Sequence, residues 1–340
     1  MFTLGIIGCG DFLRWQTGDI RSATQVRVAA CFDPDNARAQ AAAETFQAIA
    51  APDAAGIFAD ASIDCVLLFV PPWIRADLLA QAAAAGKHIL TTKPLGCDVD
   101  GCQAMQQAVA DAGVRCGVVY GRTGDAVAET WKDCFLDGTY GQLALYKRDW
   151  LHHYPQWNDW ATDPQKNGGP FMDAMVHNLN AARYLAGRPI SHACYLSQRL
   201  VHDDIACNDT ETMLVDFQGG GSAHNFITWA ADLAVHSTQG NDREHIDQHF
   251  LITSQGWYGT TVRGEHGPAC RLTRGGEEQL LPLVRLGSVY DDFAAHVQDG
   301  GAWPRRLAGI DEAAEDIRLL RTAEKRLGER FAWDGAAPGA

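Results

Sequence analysis

Two patterns of apolar and polar positions divide the chain. Over the first 120 residues or so, short apolar runs at 3–7, 25–32, 64–70, 87–92 and 114–120 alternate with helical stretches at 38–45, 76–85 and 98–112. The run 64–70 is apolar almost throughout, as in a strand buried on both faces. Gly86 and Gly113 stand where helix ends favour a left-handed residue. This alternation predicts a parallel sheet wrapped by helices. Beyond Arg122 the pattern changes. A helix over 126–136 and a strand over 142–150 precede a second helix running from near Phe171 to Gly187. The strands that follow, such as 211–217 and 223–229, alternate in polarity. Met213, Val215 and Phe217 point one way, which predicts a mostly antiparallel sheet with one buried face. Residues 310–330 read as a charged amphipathic helix and 333–340 as a frayed tail. The expected class is α/β: an N-terminal Rossmann-type doubly wound parallel sheet over 1–121, then an α+β domain with a large, mostly antiparallel sheet over 122–332. The last helix is left open to pack back on the first domain.

Charge narrows the partners. Lys and Arg number 28 against 42 Asp and Glu, a formal net charge of −14. That sign disfavours nucleic acid and anionic membrane surfaces. No apolar run approaches the length of a membrane span, and the start of the chain reads as a strand, not a signal peptide. The ten cysteines are scattered, with no Cys-x-x-Cys, which indicates packing roles in a reducing cytoplasm.

The first strand runs directly into Gly8-Cys9-Gly10-Asp11-Phe12-Leu13. Two glycines in a strand-to-helix turn let a pyrophosphate approach backbone N–H groups at a helix N-terminus. Leu13 occupies the place of the usual third small residue, and Asp11 brings a negative charge close to where phosphates would lie. Asp33 ends the second strand 23 residues after Gly10, the spacing of an acid that grips a ribose 2′-hydroxyl and repels a 2′-phosphate. Arg38 reads either as a contact to adenine or phosphate, or as a helix-surface arginine.

Asp173, His177 and Asn180 follow Gly168-Gly169-Pro170 at spacings of four and three. On an α-helix those spacings set a carboxylate, an imidazole and an amide on one face. A general base needs a partner to orient it, and this pattern supplies one. The alternative is a solvated helix face.

The segment Ala85 to Leu95, which includes Thr92-Lys93-Pro94, together with the Gly8-Cys9-Gly10 turn and Asp173-x-x-x-His177-x-x-Asn180, resembles the glucose–fructose oxidoreductase, inositol dehydrogenase and rhizopine-catabolism (Gfo/Idh/MocA) family. The resemblance covers nearly the whole chain. It implies a nicotinamide-dependent dehydrogenase acting on a secondary hydroxyl of a sugar, polyol or related cyclic compound. It implies Lys93 beside the reacting hydroxyl, His177 as acid/base and Asp173 as its orienting or substrate-binding neighbour. Gly8, Gly10, Asp11, Phe12, Asp33, Arg38, Pro71 and Arg75 are the implied cofactor contacts. NAD is expected, with NADP less favoured. The sequence departs from the family at Thr92, where glutamate is usual, at Arg75, where histidine is usual, and at Asn180, which replaces a common aspartate. Lys93 and His177 fall in different domains, so a cleft between domains is the expected site.

The stretch Trp150 to Trp160 concentrates aromatic and histidine side chains, with Trp150, His152 and Tyr154 as candidate sugar contacts. It reads equally as a packed lid or a subunit contact. Arg122 and Asn180 are further substrate candidates, and Arg122 alternatively bridges the domains. Glu244 to His249 has two histidines four apart, but Ile246 stands where a zinc-helix motif needs glutamate, so no metal is expected. A homo-oligomer, dimer or tetramer, through the second-domain sheet is expected. A redox-cycling glycosidase or lyase on the same fold, and a non-enzymatic sugar or nucleotide sensor, remain the competing readings.

Overall fold

The computed structural model describes residues 1–156, 159–234, 246–264 and 267–335. The chain forms two compact units, Met1–Gly124 with Leu286–Ala314, and Asp125–Arg285 with Glu315–Ala340.

The first unit carries a seven-stranded sheet in the order Ala308–Gly309, Cys116–Val119, His88–Thr92, Cys65–Leu68, Phe2–Ile7, Val26–Phe32, Ile49–Ala50. All neighbours run parallel except Ala308–Gly309, which pairs antiparallel with Cys116–Val119. The first strand lies between the second and the fourth, so chain order reverses at that point. In open α/β sheets, ligands bind outside the carboxyl ends of the strands at such a reversal. Phe2–Ile7 and Cys65–Leu68 are buried along their whole length, as expected for strands covered on both faces.

The domain boundary read from sequence needs one correction. Leu286–Ala314, expected in the second domain, belongs to the first unit. The Val289–Asp299 helix gives Val289, Tyr290, Phe293 and Ala294 to the core that contains Phe2, Leu4 and Ile6. Asp291 accepts hydrogen bonds from the backbone N–H groups of Thr24 and Gln25, both at 2.8 Å. Those contacts are far apart in sequence, and local periodicity carries no trace of them.

Among the described residues the second unit builds a nine-stranded sheet. Its one parallel pair is Ser222–Thr228 with Leu143–Leu151; every other pairing is antiparallel. The predicted alternation over 211–217 holds: Glu211, Met213, Val215 and Phe217 are buried while Thr212, Leu214 and Asp216 are half-buried. The Ile310–Glu324 helix ends earlier than predicted, and Arg330–Ala332 pairs with Ile190–Gln198 as an edge strand. Trp333 is buried, and its indole N–H donates to Glu315 at 2.7 Å, so the predicted frayed tail does not begin there. Residues 336–340 lie outside the described residues. Among the described residues no helix is long and apolar enough to cross a membrane.

Candidate active site

The Gly8-Cys9-Gly10 turn is held from below by Asp33. Cys9 N–H donates to Asp33 Oδ2 at 2.8 Å, and Asp35 N–H donates to Oδ1 at 2.9 Å. Gly8 has φ +94°, and a Cβ there would lie 2.3 Å from the Phe69 carbonyl oxygen, so only glycine fits. Over Gly10 the nearest atom to an added Cβ is Arg38 Nη1 at 3.7 Å, which places the guanidinium above the turn. Gly10 is also the N-cap of the Asp11–Ser22 helix and offers no side-chain cap, leaving the helix N–H groups open to an anion. Asp11 pairs with Arg14, and Phe12 packs edge-on against Phe69 at 4.9 Å. Gly8, Gly10, Asp11, Phe12, Asp33 and Arg38 are thus gathered at one turn, a set that fits a dinucleotide.

Lys93 follows directly on the His88–Thr92 strand, at the carboxyl edge of the parallel sheet, half-buried, with a cis peptide bond to Pro94. Thr92, which replaces the family's glutamate, donates its hydroxyl to the Val119 carbonyl at 3.2 Å. Arg75 is not a cofactor contact. It is 1 % exposed, and its guanidinium donates to the carbonyls of Val70 (2.5 Å), Leu95 (3.0 Å) and Pro94. Burial pulls the guanidinium down to about 10. Arg75 therefore ties the turn after one strand, through Val70 beside Pro71, to the turn that carries Lys93. Pro71 caps the Pro72–Ala84 helix.

In the second unit, Gly168 and Gly169 adopt φ +100° and +112° and lead into a π-helical turn, Phe171–Met175, which continues as the α-helix Val176–Ala186. A π turn closes i→i+5 bonds, so the face predicted from α spacing does not run unbroken from Asp173 to Asn180. Along residues 171–185 every side chain is buried except Asp173 and His177. An acid and an imidazole are the two groups that this helix presents. Asp173 Oδ1 accepts from Asn167 Nδ2 at 3.1 Å. Asn180 is turned away and fully buried; its amide donates to Asp316 Oδ2 at 2.7 Å, beside the Arg183–Asp316 ion pair.

Arg122 and His152, expected at the substrate, are buried instead. Arg122 is buried in an ion pair with Glu312 at 2.8 Å, inside the first unit. His152 is 2 % exposed, with Nδ1 at 2.8 Å from the His153 carbonyl. A charged or imidazole group pulled into the interior needs a fixed partner, and both have one. Trp150 is half-buried on the Leu143–Leu151 strand, with the Arg148 guanidinium 5.4 Å from its ring. Tyr154 joins a separate cluster: its hydroxyl donates to Asp204 at 2.6 Å, and its ring meets His153 and His202. Trp157, Glu244 and His245 lie outside the described residues. His249 bonds Thr261 Oγ1 at 3.1 Å, and burial holds its imidazole below the usual range. Among the described residues no three His, Cys, Asp or Glu side chains converge as a metal-binding set. Glu211, which no local motif singles out, bonds the start of the Asp173 turn. Its signal was parity, because it shares a face with Met213, Val215 and Phe217.

Residues 2–120 match the GFO_IDH_MocA family, described as an oxidoreductase family with an NAD-binding Rossmann fold, and residues 129–243 match the GFO/IDH/MocA C-terminal domain. An inositol 2-dehydrogenase of Arthrobacter sp. (strain FB24) is 30 % identical over 271 residues, 78 % of this chain and 74 % of the relative. The chain belongs to the GFO/IDH/MocA oxidoreductase family. A second relative, the uncharacterized oxidoreductase YrbE of Bacillus subtilis (strain 168), is 26 % identical over 223 residues. That match spans 64 % of each chain, just under two thirds of the relative's length. Among solved structures, the aldose-aldose oxidoreductase of Caulobacter crescentus complexed with glycerol superposes with a TM-score of 0.82, covering 98 % of this chain and 99 % of that one. At 18 % identity this likeness speaks for the fold. GFO/IDH/MocA membership accounts for the two-unit build and for the glycine turn at the sheet reversal.

Proposed function

We propose that this family member is an NAD-dependent oxidoreductase that transfers a hydride between a secondary hydroxyl of a sugar, polyol or related cyclic compound and the nicotinamide. The observation that carries the reading is that Asp173 and His177 are the only two of residues 171–185 that escape burial. Oxidising a secondary alcohol removes a hydride and a proton while the C–O bond becomes a carbonyl. NAD, when bound, supplies the hydride acceptor. His177 takes the hydroxyl proton on its imidazole, and Asp173 orients that ring. The Lys93 ammonium stabilises negative charge growing on the hydroxyl oxygen. Half-buried Trp150 offers an aromatic face to the C–H side of such a substrate. A homo-oligomer formed through the second sheet and a cytoplasmic setting belong to the same reading; light scattering on the pure protein checks the first.

A panel of sugars, polyols and glycosides incubated with NAD, followed by NADH absorbance and mass spectrometry, tests the proposal. Oxidised product with matching NADH is expected. Cleaved glycoside without net NADH would replace it with the redox-cycling glycosidase. Tight nucleotide binding with no product from any compound would replace it with the sensor.

The reading takes NAD over NADP because an acid at the end of the second strand, as Asp33 is, would repel a 2′-phosphate, and each of its oxygens keeps lone-pair capacity for a ribose hydroxyl. The structure adds a second job, since the same carboxylate anchors the Cys9 N–H. Asp33→Ser is therefore expected to weaken NAD binding by about tenfold, the order of one charged hydrogen bond. It should also narrow the preference over NADP, with Arg38 left above the turn. Calorimetry showing that the wild type prefers NADPH would refute the assignment.

A further inference from the structure

We propose that Glu211 is a positioning residue of this site: its buried carboxylate holds the backbone turn that carries Asp173 and His177. The proposal rests on the reading of that pair as the acid–base machinery. Glu211 lies on the Thr210–Phe217 strand and is 4 % exposed. Its Oε2 accepts the Phe171 N–H at 2.5 Å, and Oε1 accepts the Ser197 hydroxyl at 3.1 Å. The Tyr195 hydroxyl is a further donor to the same carboxylate. A Cβ added to Gly169 would lie 3.5 Å from Oε1, so Gly169 passes directly over the acid.

The first N–H groups of a helix have no partner within it, and an anion at that end is favoured by the helix dipole. Pro170 has no N–H, and Asp173 N–H bonds the Gly169 carbonyl at 3.0 Å. The Phe171 N–H is the donor that reaches across to the sheet. Gly168 is approached by a second charge: an added Cβ would lie 3.3 Å from Arg321 Nη2. Arg321 in turn pairs with Glu324 at 2.7 Å. The segment 168–171 is thus set between Glu211 on the sheet and Arg321 on the Ile310–Glu324 helix. A shift of the π turn would carry both Asp173 and His177 with it, because Asp173 lies within that turn and His177 one residue into the α-helix that continues it.

The groups facing Glu211 set its response to pH. Burial raises its carboxyl to about 7, against the lowering effect of Tyr195, the Phe171 N–H and Ser197, and Glu324 raises it further. Cys207, pushed up to about 12 by burial and by Glu211, stays a neutral thiol. A carboxyl raised above its unfolded value binds a proton in the folded state, so its contribution to stability declines as pH rises from about 4.5 to about 7. Ionisation has the opposite local effect: the bond to Phe171 N–H becomes charge-assisted and stronger.

The test uses the full chain with Glu211→Gln and Glu211→Ala, read by amide hydrogen exchange over residues 168–177 without substrate, and by kcat and NAD affinity. Glu211→Ala is expected to speed exchange in that segment and lower kcat by about 10²-fold, the order expected for a displacement of roughly 1 Å. NAD affinity should not change. Glu211→Gln keeps an acceptor oxygen and is expected to restore protection and most of kcat. It should also lose the rise in protection near pH 7, after correction for intrinsic exchange. Wild-type exchange over 168–177 in folded Glu211→Ala would overturn the proposal whatever its kcat. If Glu211→Ala does not fold, Glu211→Gln decides alone: an unchanged pH step over 168–177 overturns it, and a lost step supports it. Failure of the underlying reading is distinguishable, because it appears as full activity in a His177 variant with the exchange results unaffected.

Discussion

Replacing His177 by alanine is expected to lower kcat by about 10²–10⁴-fold, the usual contribution of one positioned base. NAD affinity should stay at its wild-type value. The two halves of this expectation come from different places in the chain. The nucleotide turn is built from Gly8, Gly10, Asp33 and Arg38 in the first unit, whereas His177 belongs to the second. The helix that carries it should survive the change, since His177 is one of two residues over 171–185 that are not buried and an alanine there leaves the core intact. Alanine is also the strongest helix former. In stability terms the substitution at this half-buried position should cost about 1 kcal/mol or less. In transition-state terms it should remove about 3–5 kcal/mol. Stopped-flow turnover with a substrate from the panel decides the matter. A variant that retains near-full kcat would take His177 out of the mechanism and leave Asp173 and Lys93 to be tested in its place.

Much of this layout was legible in the chain because it is written in local pattern. The β-α-β alternation identified the parallel sheet, and period-two alternation identified the second sheet. The glycine turn and Asp33 follow from positions close in sequence, and the structure brings them together. What escaped was non-local. The Leu286–Ala314 segment joins the first unit through Phe293 and Leu307 packing among residues nearly three hundred positions earlier. Arg122 and Asn180 looked available for substrate because their partners, Glu312 and Asp316, cannot be paired with them from sequence alone. The π turn was invisible for another reason. Spacings of four and three fit an α-helix, and only the Gly168-Gly169 approach and the bond from Phe171 to Glu211 disclose the wider first turn. Glu211 itself could have been found: a carboxylate in phase with Met213, Val215 and Phe217 has to be buried, and a buried carboxylate needs donors.

Arg75 is where sequence and structure differ most. Arg75→Met should destabilise the protein by about 2–4 kcal/mol and loosen the turn that presents Lys93. Methionine keeps the unbranched stem and fills most of the volume, so the effect isolates the guanidinium. Two terms oppose each other. Removing a charge held in the interior relieves desolvation, which burial registers by pulling the group down to about 10. Against that, the carbonyls of Val70, Pro94 and Leu95 lose the donor they share. A hydrogen bond to a charged donor contributes about 1.5–3 kcal/mol, and an orphaned buried acceptor costs about 1–3 kcal/mol. With three acceptors affected, the loss outweighs the relief. The functional consequence follows from where the acceptors are: two flank the backbone just after Lys93, and the third precedes Pro71. Untied, the carboxyl edge of the sheet should hold Lys93 less firmly, lowering kcat by about tenfold, a smaller loss than the roughly 10²-fold of a 1 Å misplacement. The nucleotide turn, anchored separately through Asp33, should keep most of its affinity. Urea unfolding together with NAD titration measures both effects. A midpoint unchanged from wild type would mean that other donors or water satisfy the three carbonyls, and that Arg75 does not hold the lysine turn.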